Sequence, residues 1–462
     1  MITSQATQDW TPGATLSRRH MLGMAARWGI GMPAALTLLG VDEMSPARAV
    51  TGPAAQTLLN LVVWSYGVST IRSNIARFEK LYPGITVTLS DSSWLNYHDT
   101  MVTRFVGKTP TDLCYSSDHW LQEWAAAGWL VPLDTYFPAV KQYVPDFFPY
   151  VTAGMTYNGH LYGLPYYADT WAFMYNAQIL KKAGFSAPPR TWDELTHQAH
   201  VIQKKGLSDH PLILLFAQTD PGSIEVWMSI VYSWGGRLFD DTLNPIFQRS
   251  ASGATKAVQW ITDALNKTKI LDPSSLTAAE IPVVKAMQSG SNAFTILETY
   301  NLAELNGPGT SRLSGQFRMG LMPNTHQTVG YVRFYAMTNQ VPPRGKDAVA
   351  AGRDFLTYFG GRLHGHYPVV ERWAVENGLA FGERSLWSDK AIDRAFGTWG
   401  NIKLLRANQE YARIKEGLTK YYPQWDVYSR AELQHAYLRQ ESAAHALTNM
   451  ANKWVSLKKS MG

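Results

Sequence analysis

A single cysteine in 462 residues leaves no internal disulfide to be made within this sequence, so its fold must rest on packed cores. Cys114 lies in Asp112-Leu113-Cys114-Tyr115, which reads as a strand, and a buried, inert thiol is expected there. A catalytic thiol would need a nearby histidine and a depressed pKa. Charge is also sparse. Charged residues make up 17% of the chain, and the net charge of +6 is spread without basic blocks, which excludes a nucleic-acid footprint. The most apolar stretch near the start, 21–40, is interrupted by Arg27 and several glycines, and falls short of the roughly 20 apolar residues a membrane span requires. No Gly-x-Ser-x-Gly elbow, P-loop or EF-hand loop occurs. His364-x-His366 stands in a Gly-rich loop with no acidic or cysteine partner to complete a metal set. Neither a cofactor nor a metal is therefore expected, and there is no internal repeat or low-complexity segment.

Apolar residues are plentiful, at 45%, and aromatic ones make up 12%. Residues 1–49 read as an export signal. Ser17-Arg18-Arg19-His20-Met21-Leu22 is similar to a twin-arginine motif, with Met21 where Phe is commoner, and Ala47-Arg48-Ala49 offers a small-x-small cleavage site. Cleavage after Ala49 would leave a chain beginning at Val50, with no lipid-accepting cysteine. The expected location is the periplasm, with no membrane insertion of the mature chain. What remains exceeds one typical domain of about 100–200 residues, so two lobes are expected.

Residues 58–64, LLNLVVW, form the near-continuous apolar run of a strand buried on both faces. Ile71, Ile75, Phe78 and Leu81 follow at helical spacing, Pro83-Gly84 stops the helix, and 85–89 alternates as a second strand. This is a βαβ unit. A third strand is expected at 111–115, and a helix at 120–127 closed by Gly128. The richest segment is 159–194: a Gly/Pro turn, an aromatic strand carrying Asp169, a helix ended by Gly184, then the capping box Thr191-Trp192-Asp193-Glu194. Ala254, Val258, Ile261 and Leu265 make a helical core stripe, as do Leu195, Ala199 and Ile202. The tail from 431 to 454 reads as one long amphipathic helix.

Several of these pieces together resemble the extracellular solute-binding proteins of family 1, the sugar-binding subunits of bacterial ABC importers. The "YGLP" turn Tyr162-Gly163-Leu164-Pro165, the pair Tyr175-Asn176 and the segment Pro189 to Glu194 carry the likeness. So do Phe78 to Ile85 ("FEKLYPGI"), Pro110 to Leu113 with Ala127 to Asp134, Gly235-Gly236 before Asp240-Asp241, Gly290 to Ile296, Gly320 to Pro323 and Ala350 to Phe359. The resemblance implies an α/β, two-lobed, type II-like fold, each lobe a mainly parallel sheet flanked by helices and joined by hinge crossings. It puts 50–168 and 294–337 in the first lobe, and 169–293 and 338–462 in the second. It also implies a monomeric, non-enzymatic binding protein that captures a mono- or oligosaccharide or related polyol and delivers it to the permease subunits of an ABC transporter. An exported glycan-acting enzyme, or a binding module feeding a sensor, remain the alternatives.

In open α/β sheets, ligands bind beyond the carboxyl ends of strands. Trp64 and Tyr66 follow the first strand, Tyr115 and Asp118 the third. Asp169 lies on the crossing strand, Tyr300 follows the returning one, and Tyr331 and Arg333 lie near the next crossing. Trp227, Trp234 and Gly235 are second-lobe candidates, and Tyr367 is a hinge-side one. Aromatic rings suit the apolar C–H faces of sugars, while carboxylates and Arg suit their hydroxyl rims. Asp118 is equally suited to cap the following helix, and Trp64 or Trp227 to lie in a core.

Overall fold

The computed structural model describes residues 56–461, and the export signal expected over 1–49 lies outside the described residues. The first lobe begins as the sequence implies. Strand β1 (Thr57–Trp64), helix α1 (Val68–Leu81) and strand β2 (Ile85–Ser92) form a parallel βαβ unit, in register from Thr57↔Ile85 to Trp64↔Ser92. Helix α2 (Trp94–Val106) leads to β3 (Leu113–Ser117), which pairs with β1 on its other side. Helix α3 (Leu121–Ala126) follows, with Gly128 left-handed just beyond it.

Two long strands join the lobes. Strand β4 (Gly163–Asn176) is 14 residues long and buried almost throughout. Its first half pairs antiparallel with the later strand β7, and its second half, from Trp171 onward, leaves β7 for two other strands. The register shifts between Pro165 and Tyr167, where a proline without an N–H suits a bulge. Gly163 is required at the close approach to β7, because a Cβ there would stand 2.0 Å from the Phe334 ring.

Helix α4 (Ala177–Ala183) is capped by the Asn176 side chain and ended by left-handed Gly184. Helix α5 (Trp192–Lys204) starts at Thr191, whose hydroxyl accepts from the Glu194 amide at 3.1 Å. The Glu194 carboxylate reaches the Arg190 amide, one residue earlier than the box implies. Helices α6 (Gly222–Ser233) and α7 (Gly253–Asn266) build the second lobe's core. Helix α8 (Glu280–Ser289) precedes β5 (Phe294–Glu298), helix α9 (Asn301–Asn306) and β6 (Phe317–Gly320). Strand β7 (Thr328–Met337) then returns, helix α10 (Lys346–Gly360) follows, and short β8 (Ala412–Arg413) pairs with the start of β7.

The main path of the sheet runs β2-β1-β3-β7-β4-β5, with β6 on β4 and β8 on β7. It is mixed rather than mainly parallel: β7 is antiparallel to β3 and β4, and β5 and β6 are antiparallel to β4. Strands β5 and β6 flank residues 171–176 of β4. Helix α10 lays Phe355 against Phe78 of α1, at 5.5 Å between rings.

The tail is not one helix. Helices α11 (Tyr422–Tyr437) and α12 (Ala443–Met461) fold back on each other, with left-handed Arg439 in the turn. The Trp425 indole donates to the Met450 carbonyl, and Trp454 packs on Phe239 at 4.2 Å, holding the hairpin to the second lobe. Among the described residues, no helix is long and apolar enough to cross a membrane.

Candidate functional site

The ends of the central strands bring charge into the space between the lobes. Asp118 and His119 follow β3, and Arg333 projects from β7. Glu225 stands on α6, and Lys415 lies just after β8. Lys415 is fully buried, its Nζ 2.7 Å from Asp118 Oδ2 and 2.7 Å from Glu225 Oε1. Arg333 Nη1 reaches Asp118 Oδ1 at 2.7 Å and donates to Ser117 Oγ at 2.9 Å. His119 Nε2 lies 3.0 Å from Glu225 Oε1, and the Trp171 indole donates to Glu225 Oε2 at 2.8 Å. Burial pushes the Glu225 carboxyl up, but Lys415 and His119 more than reverse this and hold it well below the usual range. Burial, then Lys415, keeps His119 below its ordinary pKa. The result is two cations against two anions, with first-lobe Asp118 and His119 meeting second-lobe Glu225 and Lys415. Buried charges are tolerated in such balanced, hydrogen-bonded sets.

Asp169 is placed differently from the expectation. It is fully buried, and protein donors occupy both of its oxygens: the Thr170 amide at 2.7 Å and the Thr299 hydroxyl on one, the Tyr167 hydroxyl at 3.1 Å and the Tyr300 amide at 3.2 Å on the other. Burial raises it to about 6 against these donors. Asp169 thus ties the crossing strand to the turn after β5, and it positions neighbours rather than offering a free carboxylate. From it a chain of hydroxyls runs on. The Tyr167 and Tyr331 hydroxyls are 2.6 Å apart, and Tyr331 donates to Glu298 at 3.2 Å. Tyr300 donates to Glu280, which also accepts from Asn301 at 2.9 Å. Burial, then the Glu280 charge, pushes Glu298 well up.

Beside this polar centre is a cavity of about 240 Å³. Trp94, Trp120 and His119 line it from the first lobe, and Tyr422, Asp426 and Arg430 of α11 line it from the second. The two indoles lie 5.0 Å apart, and Trp94 also takes the Arg333 guanidinium over its ring at 5.1 Å. Arg430 Nε bonds Asp426 Oδ1 at 3.1 Å, and burial raises Asp426 to about 6 although Arg430 opposes this. The Tyr422 hydroxyl is buried with no hydrogen-bond partner. Apolar ring faces opposite a carboxylate and a guanidinium match the two kinds of surface a sugar presents.

Of the residues singled out from sequence, Asp118, Asp169, Tyr300, Tyr331 and Arg333 converge on the polar centre. Trp64 stands directly behind the cavity, its ring 5.1 Å from Trp94 and 6.3 Å from Trp120. Tyr66 is exposed and stacks on Trp373 at 6.0 Å. The others lie elsewhere. Tyr115 is stacked on Tyr166 at 4.4 Å in the first-lobe core, where β3 is buried on both faces. Trp227 is fully buried on α6 against Phe247, because that helix is covered all round. Trp234 packs on Trp192, and Gly235 makes the left-handed turn beside it. Tyr367 donates to Asp146 at 2.8 Å under the Arg362 guanidinium. Sequence reasoning missed Trp94, Trp120, Glu225, Lys415 and the three α11 residues. Trp94 was accessible to the strand-end rule, since it follows β2; the α11 residues carry no local signal.

These features can be set beside known proteins. A mannitol-binding protein of Pseudomonas aeruginosa is 26% identical over 257 residues, 55% of this chain and 57% of that protein. A binding protein of Brucella abortus (strain 2308) is 27% identical over 181 residues, 39% of this chain and 42% of that one. The chain thus spans roughly half the length of these curated relatives. Among solved structures, maltose-bound MalE3 of T. maritima superposes with a TM-score of 0.74 at 20% identity, covering 87% of this chain and 100% of that one, a likeness of fold. The family model for bacterial extracellular solute-binding protein matches residues 64–360. With that match extending over well more than half of the sequence, the chain belongs to the bacterial extracellular solute-binding proteins.

Proposed function

We propose that the protein captures a carbohydrate or polyol between its lobes and delivers it to the permease of an ABC importer. The cavity bounded by Trp94 and Trp120 on one side and Tyr422, Asp426 and Arg430 on the other carries this reading. Its volume of about 240 Å³ falls below the roughly 300–1,000 Å³ of sites for drug-sized ligands, and suits one sugar ring or a linear hexitol. The mannitol-binding relative supports a ligand of that size. Delivery would follow from differential affinity: ligand favours the closed form, and the permease favours closed over open protein. The twin-arginine-like segment at 17–22 supports export to the periplasm, where a free, monomeric protein would act.

A glycosidase would need two available carboxyl groups flanking the scissile bond. Asp118 and Asp169 are instead occupied by cations and hydrogen-bond donors of the protein itself, which favours binding over turnover. Calorimetry against mannitol, other hexitols, glucose, maltose and maltotriose tests the reading, with product analysis by mass spectrometry. A saturable heat for a monosaccharide-sized ligand, returned unchanged, is expected. Absence of binding to every sugar and polyol at millimolar concentration would overturn it.

A further inference from the structure

The turn between α11 and α12 gathers side chains that the cleft does not use. Glu432 and His435 stand three residues apart on α11 and so share a helix face. Glu441 lies in the turn, and His445 and Asn449 follow on the first turns of α12. One ligand atom from each of Glu432, His435 and Glu441 can be chosen so that all three lie within 4.8 Å of one another. We propose that Glu432, His435 and Glu441 form a site for one divalent transition-metal ion of the zinc class, clipping the two helices of the C-terminal hairpin together.

The carboxylate orientations favour this. Asn449 Nδ2 donates to Glu432 Oε2 at 2.8 Å and to Glu441 Oε2 at 3.3 Å, and His445 Nδ1 bonds the same Glu441 Oε2. These bonds fix the outer oxygen of each carboxylate. The other Glu441 oxygen, Oε1, is buried, has no hydrogen-bond partner, and faces His435 Nδ1 at 3.8 Å. A tetrahedral ion with bonds of about 2.0–2.2 Å needs ligand atoms roughly 3.3–3.6 Å apart, so a small closing of the set suffices. Among the described residues no lysine or arginine pairs with either carboxylate, and the ion-pair partners of Glu441 are histidines alone. Arg439, in the same turn, points its guanidinium toward Asp263 at 3.7 Å.

One imidazole and two carboxylates make a three-ligand set with a fourth position for water, which suits Zn²⁺. Ca²⁺ takes six to eight oxygens and Mg²⁺ a near-ideal octahedron, and neither finds that here. His445 and Asn449 then act as outer partners that orient the ligands.

The test uses the untagged full chain, stripped with chelator and titrated with ZnCl₂ by calorimetry, with thermal unfolding in parallel. One Zn²⁺ per chain and a rise in Tm are expected, with neither on adding MgCl₂. His435→Ala and Glu441→Gln should each abolish the high-affinity step, and His445→Ala should weaken it about 10- to 100-fold. Circular dichroism identifies any variant that fails to fold, and the remaining ligand variant then decides. Sugar binding serves as the unaffected control. No saturable zinc binding to the wild type, or undiminished binding by a folded His435→Ala or Glu441→Gln protein, would overturn the proposal.

Discussion

Replacing Lys415 by methionine removes a cation that contacts both Asp118 and Glu225, while keeping most of the side-chain volume. The ammonium is fully buried, with both partners at 2.7 Å, so no water can take its place without opening the lobes. Removing one member of a buried pair costs about 3–5 kcal/mol, because the partner stays charged and desolvated. Unfolding entropy of about 2.1 cal/mol/K per residue over roughly 400 residues turns this into a fall in Tm of about 4–6 °C.

The loss should depend on pH in a particular sense. In the wild type, His119 is held below its ordinary pKa by burial and Lys415, so the unfolded chain takes up a proton first and stability falls as pH drops through about 6.5. Glu225 is depressed by Lys415 and His119 despite its burial. It contributes stability that is present above about 4.5 and lost as pH falls through its lower folded pKa. Without Lys415, His119 is freed to protonate against Glu225 and replace part of the missing charge. Urea denaturation at several pH values should therefore find the largest deficit near pH 8 and a smaller one near pH 6. A deficit under about 1 kcal/mol at pH 8, or one that does not change with pH, would refute the view that Lys415 is the essential counter-ion.

Trp94→Ala removes one ring of the cavity's aromatic pair, and sugar affinity should fall about 10- to 100-fold by calorimetry, equivalent to about 1.4–2.8 kcal/mol; unchanged affinity would place the ligand elsewhere. Asp169→Asn removes a carboxyl whose folded pKa is raised to about 6, and such a group favours the folded state more as pH falls from 7 toward 4. The stability of the wild type relative to Asp169→Asn should rise by about 2 kcal/mol between pH 7.5 and 4.5, and a constant difference in urea titrations would contradict this account.

Local pattern recovered the parts of the fold whose signals are local. The apolar run at 58–64, the Pro83-Gly84 stop, Gly184 and the Thr191 cap all sit where their chemistry implies. Strand pairing was less legible, because nothing within 294–298 records that its partner is the second half of β4. The tail was misread as one helix because its amphipathic pattern continues through a turn that left-handed Arg439 makes without glycine or proline. At the site, the strand-end rule pointed to Asp118, Tyr300 and Arg333, which lie in the buried ionic and hydroxyl networks at the strand ends. It mistook Tyr115 for a cleft residue because an aromatic strand end looks the same facing a cleft or a core. It took Asp169 for a free carboxylate because the donors that saturate it, Thr299 and Tyr300, lie 130 and 131 residues away. Lys415 was invisible for the same reason: its partners Asp118 and Glu225 are brought to it only by the folded sheet.

The order of strands in the sheet also governs when the molecule can fold during its synthesis. Strand β3 lies between β1 and β7, and its end pairs Ser117 with Arg333, a partner made 216 residues later. Until β7 has emerged, β3 presents an open edge, and the face that α10 covers stays bare until residue 360. A nascent chain ending before β7 holds a βαβ unit with β3 as an open edge, the kind of edge on which chains associate wrongly. Folding is thus postponed until most of the chain exists, and is dominated by contacts distant in sequence, which are slow to form.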